Sequence, residues 1–204
     1  LLGIAPGVGR WLEKRKENRE SELVRESFTD LLASRDAAFN QKLGKLERVS
    51  WFSEVYRKEA RDWVFTQQLA TAQKRDKLKR LWQSADAHQK HDSVFGALYA
   101  EHLLRVGASS DAEAQLLGLA DKEWPVEATA VLAQLRVSKP DTLISKLTTL
   151  AENTPSGDAA TGLVIAKAQA MSGDQGQQLL TDYYATHRSA DIVTALGTLF
   201  LTSA

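Results

Sequence analysis

Residues 92–107 read DSVFGALYAEHLLRVG. The same pattern returns 33 residues later as PVEATAVLAQLRVSKP (125–140), then as DAATGLVIAKAQAMSG (158–173), and a fourth copy starts at Asp191. Each full copy begins with Asp or Pro, which favour a helix start, and ends with Gly or Pro, which interrupt a helix. The register predicts one helix at the same place in every copy.

Within this register a small residue recurs at one place. The residues eight places after each start are Ala100, Ala133, Ala166 and Leu199, and those one place earlier are Tyr99, Leu132, Ile165 and Thr198. A small side chain opposite larger ones lets two helices approach closely. We therefore expect the three alanines to lie where helices pack together.

A second helix is predicted after each break. The breaks share one place, fifteen residues after each start, at Gly107, Pro140 and Gly173. Beyond them, Ser110 and Glu113 fit an S-x-x-E capping box, and Asp141 and Asp174 are candidate N-caps. Each full unit therefore reads as helix, short turn, helix.

A hairpin of about 33 residues cannot bury its own apolar faces, and stacking equal hairpins gives each one a neighbour to pack on. The sequence therefore predicts an all-α chain built as an α-solenoid of antiparallel helical hairpins. We divide it into a basic helical segment (1–50), a degenerate helical hairpin (51–91) and repeats (92–204) with units 92–124, 125–157, 158–190 and an incomplete 191–204. The incomplete unit is expected to expose an apolar face, including Leu196 and Phe200, through which the chain could self-associate or meet a further segment.

Composition fits a folded helical protein. The 204 residues are 43% hydrophobic and 25% charged, with four prolines and no cysteine, which excludes thiol catalysis and disulfides. Residues 1–91 carry 19 Lys and Arg against 13 Asp and Glu, whereas residues 92–204 carry 7 against 13. The basic half could face acidic lipids or an acidic partner. Its basic residues alternate with glutamates, so we predict no nucleic-acid partner.

The first half lacks the 33-residue register but reads as helices near 11–34, 37–48, 51–73 and 77–85. No apolar run in the chain reaches the roughly 18 residues that a membrane span needs. The opening LLGI (1–4), followed by basic residues, is typical either of a solvated helix start or of a segment next to a membrane. The PGVG at 6–9 lacks a phosphate-loop lysine and is interpreted as a hinge.

The repeat resembles the tetratricopeptide repeat, whose consensus has 34 residues. Unit 92–124 matches that consensus at Ala100, Leu103, Gly107, Ala112 and Leu116. The family's aromatic signature is mostly absent, and Ser145 and Gln178 replace the alanine of the second helix in the next two units. The resemblance implies a binding scaffold rather than an enzyme.

A finer resemblance joins the two halves. It rests on Trp63, Leu81, Trp82, Tyr99, Ala100, Gly107, residues 111–114 and Trp124, which follow in the order seen in the HemY family. These are proteobacterial inner-membrane proteins associated with heme biosynthesis, with membrane helices before their repeats and no established catalytic residues. The resemblance implies a membrane-tethered scaffold linked to tetrapyrrole synthesis; without it, a cytoplasmic peptide-binding adaptor is expected.

The tetratricopeptide resemblance also implies where a protein or peptide partner binds. In that family the first helix of each unit lines a concave surface, which here would present Glu101, Arg105, Gln134, Lys167 and Met171. The Lys and Asn clamp for a C-terminal carboxylate is absent, since Ala97 and Glu101 fill its first two places. An extended or helical partner segment held by distributed contacts is expected.

Other chemistry finds little support. His88 and His91 have the spacing of two metal ligands on a helix, but no third ligand is indicated and the segment is interpreted as a solvated linker. No catalytic motif is recognisable, and we predict no metal, cofactor or catalytic site. The five tryptophans are interpreted as core wedges between hairpins, the alternative being stacking platforms or a porphyrin site.

Overall fold

The structure, a computed structural model, describes residues 6–33, 36–46, 48–49, 54–153, 157–171 and 173–203. These residues form twelve α-helices and no strand, which confirms the all-α class. The chain divides into two compact units, Leu1–Gln68 and Leu69–Ala204. The boundary between these two units falls inside a helix.

The helices, in chain order, are α1 Pro6–Leu32, α2 Asp36–Leu46, α3 Glu54–Thr71, α4 Arg75–Ser84, α5 Ala87–His91, α6 Ser93–Arg105, α7 Ser109–Leu119, α8 Val126–Gln134, α9 Pro140–Asn153, α10 Gly157–Ala170, α11 Gly173–Thr186 and α12 Ala190–Ser203. The first unit holds α1, α2 and most of α3. The second begins with the last residues of α3 and continues to α12.

Among its described residues, the first unit contains two small apolar clusters and an ion-pair group. The clusters are Phe39 with Ala60, Val64 and Trp63, and Leu46 with Val49, Leu23 and Val24. Lys42 of α2 pairs with two carboxylates of α1, Asp30 at 2.8 Å and Glu26 at 3.1 Å. The first helix therefore packs on α2 through charge pairing as well as apolar contact.

The start of α1 corrects one expectation. Pro6 is the first residue of that helix, so the PGVG stretch is helical and not a hinge. Proline fits this place because the first helical N–H has no partner inside the helix and the ring already has a helical φ. The LLGI stretch (1–4) and the side chains of Trp11 and Trp51 lie outside the described residues.

The second unit contains the repeat register. Its starts, Asp92, Pro125, Asp158 and Asp191, are either the N-cap or a first-turn residue of α6, α8, α10 and α12. Ala100, Ala133 and Ala166 are each 0% exposed, as the register predicts. The register thus marks the side of these helices that faces the core.

Glycine permits the closest helix contacts of this unit. A Cβ at Gly96 of α6 would come within 2.8 Å of the Leu119 side chain of α7, and a Cβ at Gly162 of α10 within 2.7 Å of Trp124 Nε1. At Gly176 of α11 it would overlap the backbone carbonyl of Ala168 in α10. A side chain at Gly176 would therefore force the backbones of α10 and α11 apart, whereas one at Gly96 or Gly162 would displace the side chain of Leu119 or Trp124.

The predicted break after α6 is confirmed in detail. Gly107 has a φ of +76°, a left-handed conformation that glycine adopts without strain. Its N–H donates to the Leu104 carbonyl at 2.9 Å, and the Ala108 N–H donates to the Leu103 carbonyl at 2.9 Å, which is the Schellman pattern. Pro140 and Gly173 act differently, because each is the first residue of the following helix.

The predicted capping box at Ser110 and Glu113 is wrong. The N-cap of α7 is Ala108, which makes no side-chain capping bond. The Glu113 carboxylate instead accepts hydrogen bonds from the Ser138 N–H at 3.0 Å and the Lys139 N–H at 2.8 Å, directly before α9. Glu113 therefore stabilises the start of another helix, and its sequence context gives no sign of that partner.

The packing order departs from a simple solenoid. In such an array each unit contacts only its neighbours. Here α6 packs on α7 and α10 on α11, but α9 packs mainly on α10 rather than α8. The last helix, α12, packs on α11 and also on α8, two units earlier, where the Thr198 hydroxyl donates to the Ala133 carbonyl at 2.9 Å.

The glycine contacts predict that replacing glycine by alanine has opposite effects on the free energy of unfolding at two positions. Gly176→Ala should lower the free energy of unfolding by about 1–3 kcal/mol, because the methyl group overpacks the α10–α11 crossing. Gly118→Ala in α7 is the matched control, since nothing lies within 4 Å of its Cβ position. That variant should gain about 0.5–1 kcal/mol from helix propensity. Urea denaturation measures both, and equal effects would contradict the close crossing.

Candidate functional site

Four of the five predicted partner-binding residues lie on α6, α8 and α10, and the fifth, Met171, directly follows α10. Helix α8 packs against both α6 and α10. Exposed and half-buried side chains follow one line along each of these helices. We call these lines together the helix-A surface, after the first helix of each repeat: Val94, Leu98, Glu101 and Arg105 on α6; Val126, Ala130 and Gln134 on α8; Ala160, Val164 and Lys167 on α10, with Met171 directly after its end. All five predicted residues belong to it.

The helix-A surface changes character along the helices. Near the helix starts it is apolar, with Val94 40% and Val126 51% exposed. Near the helix ends it carries a carboxylate, an amide and an ammonium group, in Glu101, Gln134 and Lys167. Such a surface matches a partner with both apolar and charged groups, and no single charge dominates it.

Arg105 has a structural role that the sequence did not indicate. Its guanidinium Nη2 donates to the carbonyls of Leu69 at 3.2 Å, Ala70 at 2.6 Å and Ala72 at 3.4 Å. These carbonyls lie at the end of α3, where the last turn of a helix has no partners of its own. A positive charge there also complements the helix dipole. The Arg105 guanidinium therefore stabilises the end of α3. Because a substitution of Arg105 would also disturb this helix end, it would not test partner binding alone.

Gln169 makes a similar contact between two repeats, from 158–190 to 125–157. Its amide Nε2 donates to the Leu132 carbonyl at 3.2 Å and the Leu135 carbonyl at 2.9 Å, and its Oε1 accepts the Val137 N–H at 3.1 Å. The Gln169 side chain of α10 therefore caps the C-terminal end of α8. Sequence reasoning missed this residue, because a long-range cap has no local motif.

Two carboxylates of α7 are held in the charged form. The pKa of Asp111 is lowered to about 2, first by its hydrogen bonds to Arg75 and then by Lys79, whose Nζ lies 3.1 Å from the Asp111 carboxylate. Burial opposes ionisation of Glu113, but the hydroxyl and N–H of Ser138 and the N–H of Lys139 together hold its pKa below the usual value. Both acids stabilise the packing of neighbouring helices.

The described tryptophans of the second unit are packed against other side chains. Trp124 is 4% exposed, and its Nε1 donates to the Thr129 hydroxyl at 2.8 Å. Trp82 stacks on Tyr99 of α6 with ring centroids 4.6 Å apart and planes 2° from parallel. The interpretation as a core wedge is confirmed for Trp124, whereas Trp82 remains half-buried.

The histidines are placed differently from expectation. His88 and His91 lie on the short helix α5 and not in a linker, because Asp86 and Gln89 form a capping box at its start. Within the described residues no group of three or more His, Asp or Glu could hold a metal ion. His102 is 6% exposed, its Nδ1 has no hydrogen-bond partner in the described structure, and burial lowers its pKa.

None of the described helices is both long enough and apolar enough to cross a membrane. Comparisons of the chain with protein-family models, with curated proteins and with solved structures found no match. A function for this chain is therefore inferred from its own residues and their geometry.

The low pKa of Asp111 predicts a pH dependence of stability. A carboxyl whose pKa is lower in the folded than in the unfolded state stabilises the fold above the unfolded pKa and loses that effect on acidification. Between pH 4 and pH 2 the free energy of unfolding should therefore fall less steeply in Asp111→Asn than in the parent chain. Denaturation series across that range measure it, with Glu152→Gln, an exposed carboxylate of α9, as control. Identical slopes in all three proteins would contradict the pairing with Arg75.

Proposed function

We propose that this chain is a non-enzymatic helical scaffold that binds a protein or peptide partner on the helix-A surface. The observation that carries the proposal is the exposure of Val94 on α6 and Val126 on α8, at 40% and 51%, and of Met171 directly after α10, at 45%. These three helices pack in succession. Single exposed apolar residues are ordinary on protein surfaces, so the proposal depends on their recurrence on neighbouring helices.

The charges of the surface suggest how a partner would be oriented. Glu101 and Lys167 lie on the two outer helices of the three, with the neutral Gln134 on the helix between them. A segment crossing the helices would place a basic group near Glu101 and an acidic group near Lys167. Apolar anchors on the segment would meet the valines and Met171. Such distributed contacts are typical of helical or extended segments bound in a groove.

The titratable groups of the second unit support a scaffold because their contacts serve packing. Asp111 pairs with Arg75, and Glu113 holds the start of α9. His102 is buried in α6 without a described partner that could relay a proton. The shifted pKa values of these residues are therefore explained by their structural environment, and they do not converge on one cleft.

Two further roles stay predictions. The membrane-tethered role in tetrapyrrole synthesis rests only on the resemblance to the HemY family, and no contact in the structure bears on it. Self-association through α12 is the other. Val193, Phe200 and Leu201 on that helix are 52%, 58% and 85% exposed, whereas Ile192 and Ala195 are buried.

Site-specific photo-crosslinking in the source cell tests the proposed function. A benzophenone amino acid is placed at Gln134 or Lys167 on the helix-A surface, and at Ser145 on α9 or Gln175 on α11 as exposed controls. The proposal predicts a protein adduct of discrete mass from the first two positions and not from the controls. Adducts from the controls alone, or no adducts from any position, would count against the helix-A surface.

With the captured partner in hand, calorimetric titration measures the contribution of charge. The double variant Glu101→Lys with Lys167→Glu should weaken binding roughly tenfold, if each position contributes as an ordinary central contact. Ser145→Glu is the matched control and should bind as the parent does. Unchanged affinity of a folded double variant would exclude the charged ends of the surface from the interface.

A further inference from the structure

A second candidate site in the 69–204 unit is lined by residues other than those that define the helix-A surface. A cavity of about 280 Å³ opens between the end of α4, the α5 segment, the start of α6 and the end of α7. Trp82, His91, Gln115, Gly118 and Lys122 are among the residues that line it. The proposed partner-binding surface does not use any of these side chains.

The walls of the cavity are fixed by contacts inside the protein. Gly96 allows the side chains of Leu119 and Gln115 to lie close against α6, since a Cβ there would come within 2.8 and 3.1 Å of them. Trp82 is held by its stacking on Tyr99. The cavity is therefore formed in the absence of a ligand, as small-molecule and peptide sites usually are.

The carboxylates at the cavity are already engaged. Asp92 accepts the N–H groups of Val94 and Phe95 at 2.9 and 3.3 Å, and so caps α6. Glu123 accepts the Ser93 hydroxyl at 3.0 Å. One oxygen of each carboxylate is engaged in this way, Oδ1 of Asp92 and Oε2 of Glu123.

The hydrogen-bond donors at the cavity have few partners within the protein. Lys90 donates to the Gln83 carbonyl at 2.8 Å and retains two further N–H groups. Within the described part of the chain, no ion pair or side-chain hydrogen bond joins Lys122, His91 or the Gln115 amide to another residue. The side-chain donors without a partner in the described structure therefore include the Lys122 ammonium and the Gln115 amide, beside the apolar surfaces of Trp82 and Leu119.

We propose that this cavity binds a carboxylate group of a peptide, together with one neighbouring apolar side chain. Lys122 and Gln115 would donate to the carboxylate, and the apolar side chain would lie against Trp82 and Leu119. A volume of about 280 Å³ is at the lower end of the range for ligand sites, so the cavity takes one or two residues and not a large cofactor. The carboxylate could belong to an acidic side chain or to a chain terminus.

Nuclear magnetic resonance titration of the whole ¹⁵N-labelled chain tests the proposal and separates the two sources. The probes are N-acetyl-leucine for a terminal carboxylate and N-acetyl-Leu-Glu-amide for a side-chain carboxylate. Their neutral counterparts are N-acetyl-leucinamide and N-acetyl-Leu-Gln-amide. At least one acid should shift the backbone amides of Gly118 and Lys122 in a saturable manner, and the matching amide should bind about tenfold more weakly or not at all. The acid that binds identifies the source.

Variants connect the signal to the cavity. Lys122→Gln should weaken the binding of the acid about tenfold, the effect of losing one hydrogen bond to a charged group. Gly118→Leu should abolish it by filling the cavity, and it should still fold because nothing lies within 4 Å of the Cβ position. Lys77→Gln, an exposed lysine of α4, is the control and should bind as the parent does.

Equal binding of acids and amides, absence of binding by every probe, or binding that survives both Lys122→Gln and Gly118→Leu would overturn the proposal. These outcomes are independent of the helix-A surface. Crosslinking at Gln134 and Lys167 would still report on that surface if the cavity were inactive, and the cavity could bind acids if the crosslinking failed.

Discussion

The burial of α8 is the constraint on which the second unit depends. This helix packs against α6, α10 and α12, and most of its residues from Ala128 to Leu135 are almost inaccessible. A short helix with neighbours on several sides must be apolar nearly all round, as Val126–Gln134 is. The line through Val126, Ala130 and Gln134 is the part that remains open, which is why α8 can still contribute to a binding surface.

Long-range side-chain bonds at helix ends complete this arrangement. Arg105 holds the end of α3, Glu113 the start of α9, and Gln169 the end of α8. Each satisfies backbone groups that a helix terminus leaves unpaired, and each ties two elements that are distant in sequence. Some charged residues that look available for a partner are therefore part of the framework, and Lys167 and Glu101 are better binding candidates than Arg105.

The sequence predicted what local rules determine. The buried alanines of the 33-residue register and the turn at Gly107 follow from spacing, burial and the backbone freedom of glycine. Three features did not follow from local rules: the capping role of Glu113, the packing of α12 on α8 and the packing of α9 on α10. Each depends on how the helices pack together, for which the sequence has no local motif. The choice of surface residues was implied by the tetratricopeptide resemblance and not by periodicity. The anchoring of Arg105 and the cavity near Lys122 required the three-dimensional arrangement.

Native-state hydrogen exchange of the whole chain tests the central position of α8 most directly. Amides that open only on global unfolding exchange last, whereas those of peripheral helices exchange through local opening. With α6, α10 and α12 around α8, we predict that the amides of residues 130–135 are the slowest in the second unit, slower than those of α11 and α12. Exchange of α8 as fast as that of α12 would contradict a central α8 and the surface built around it.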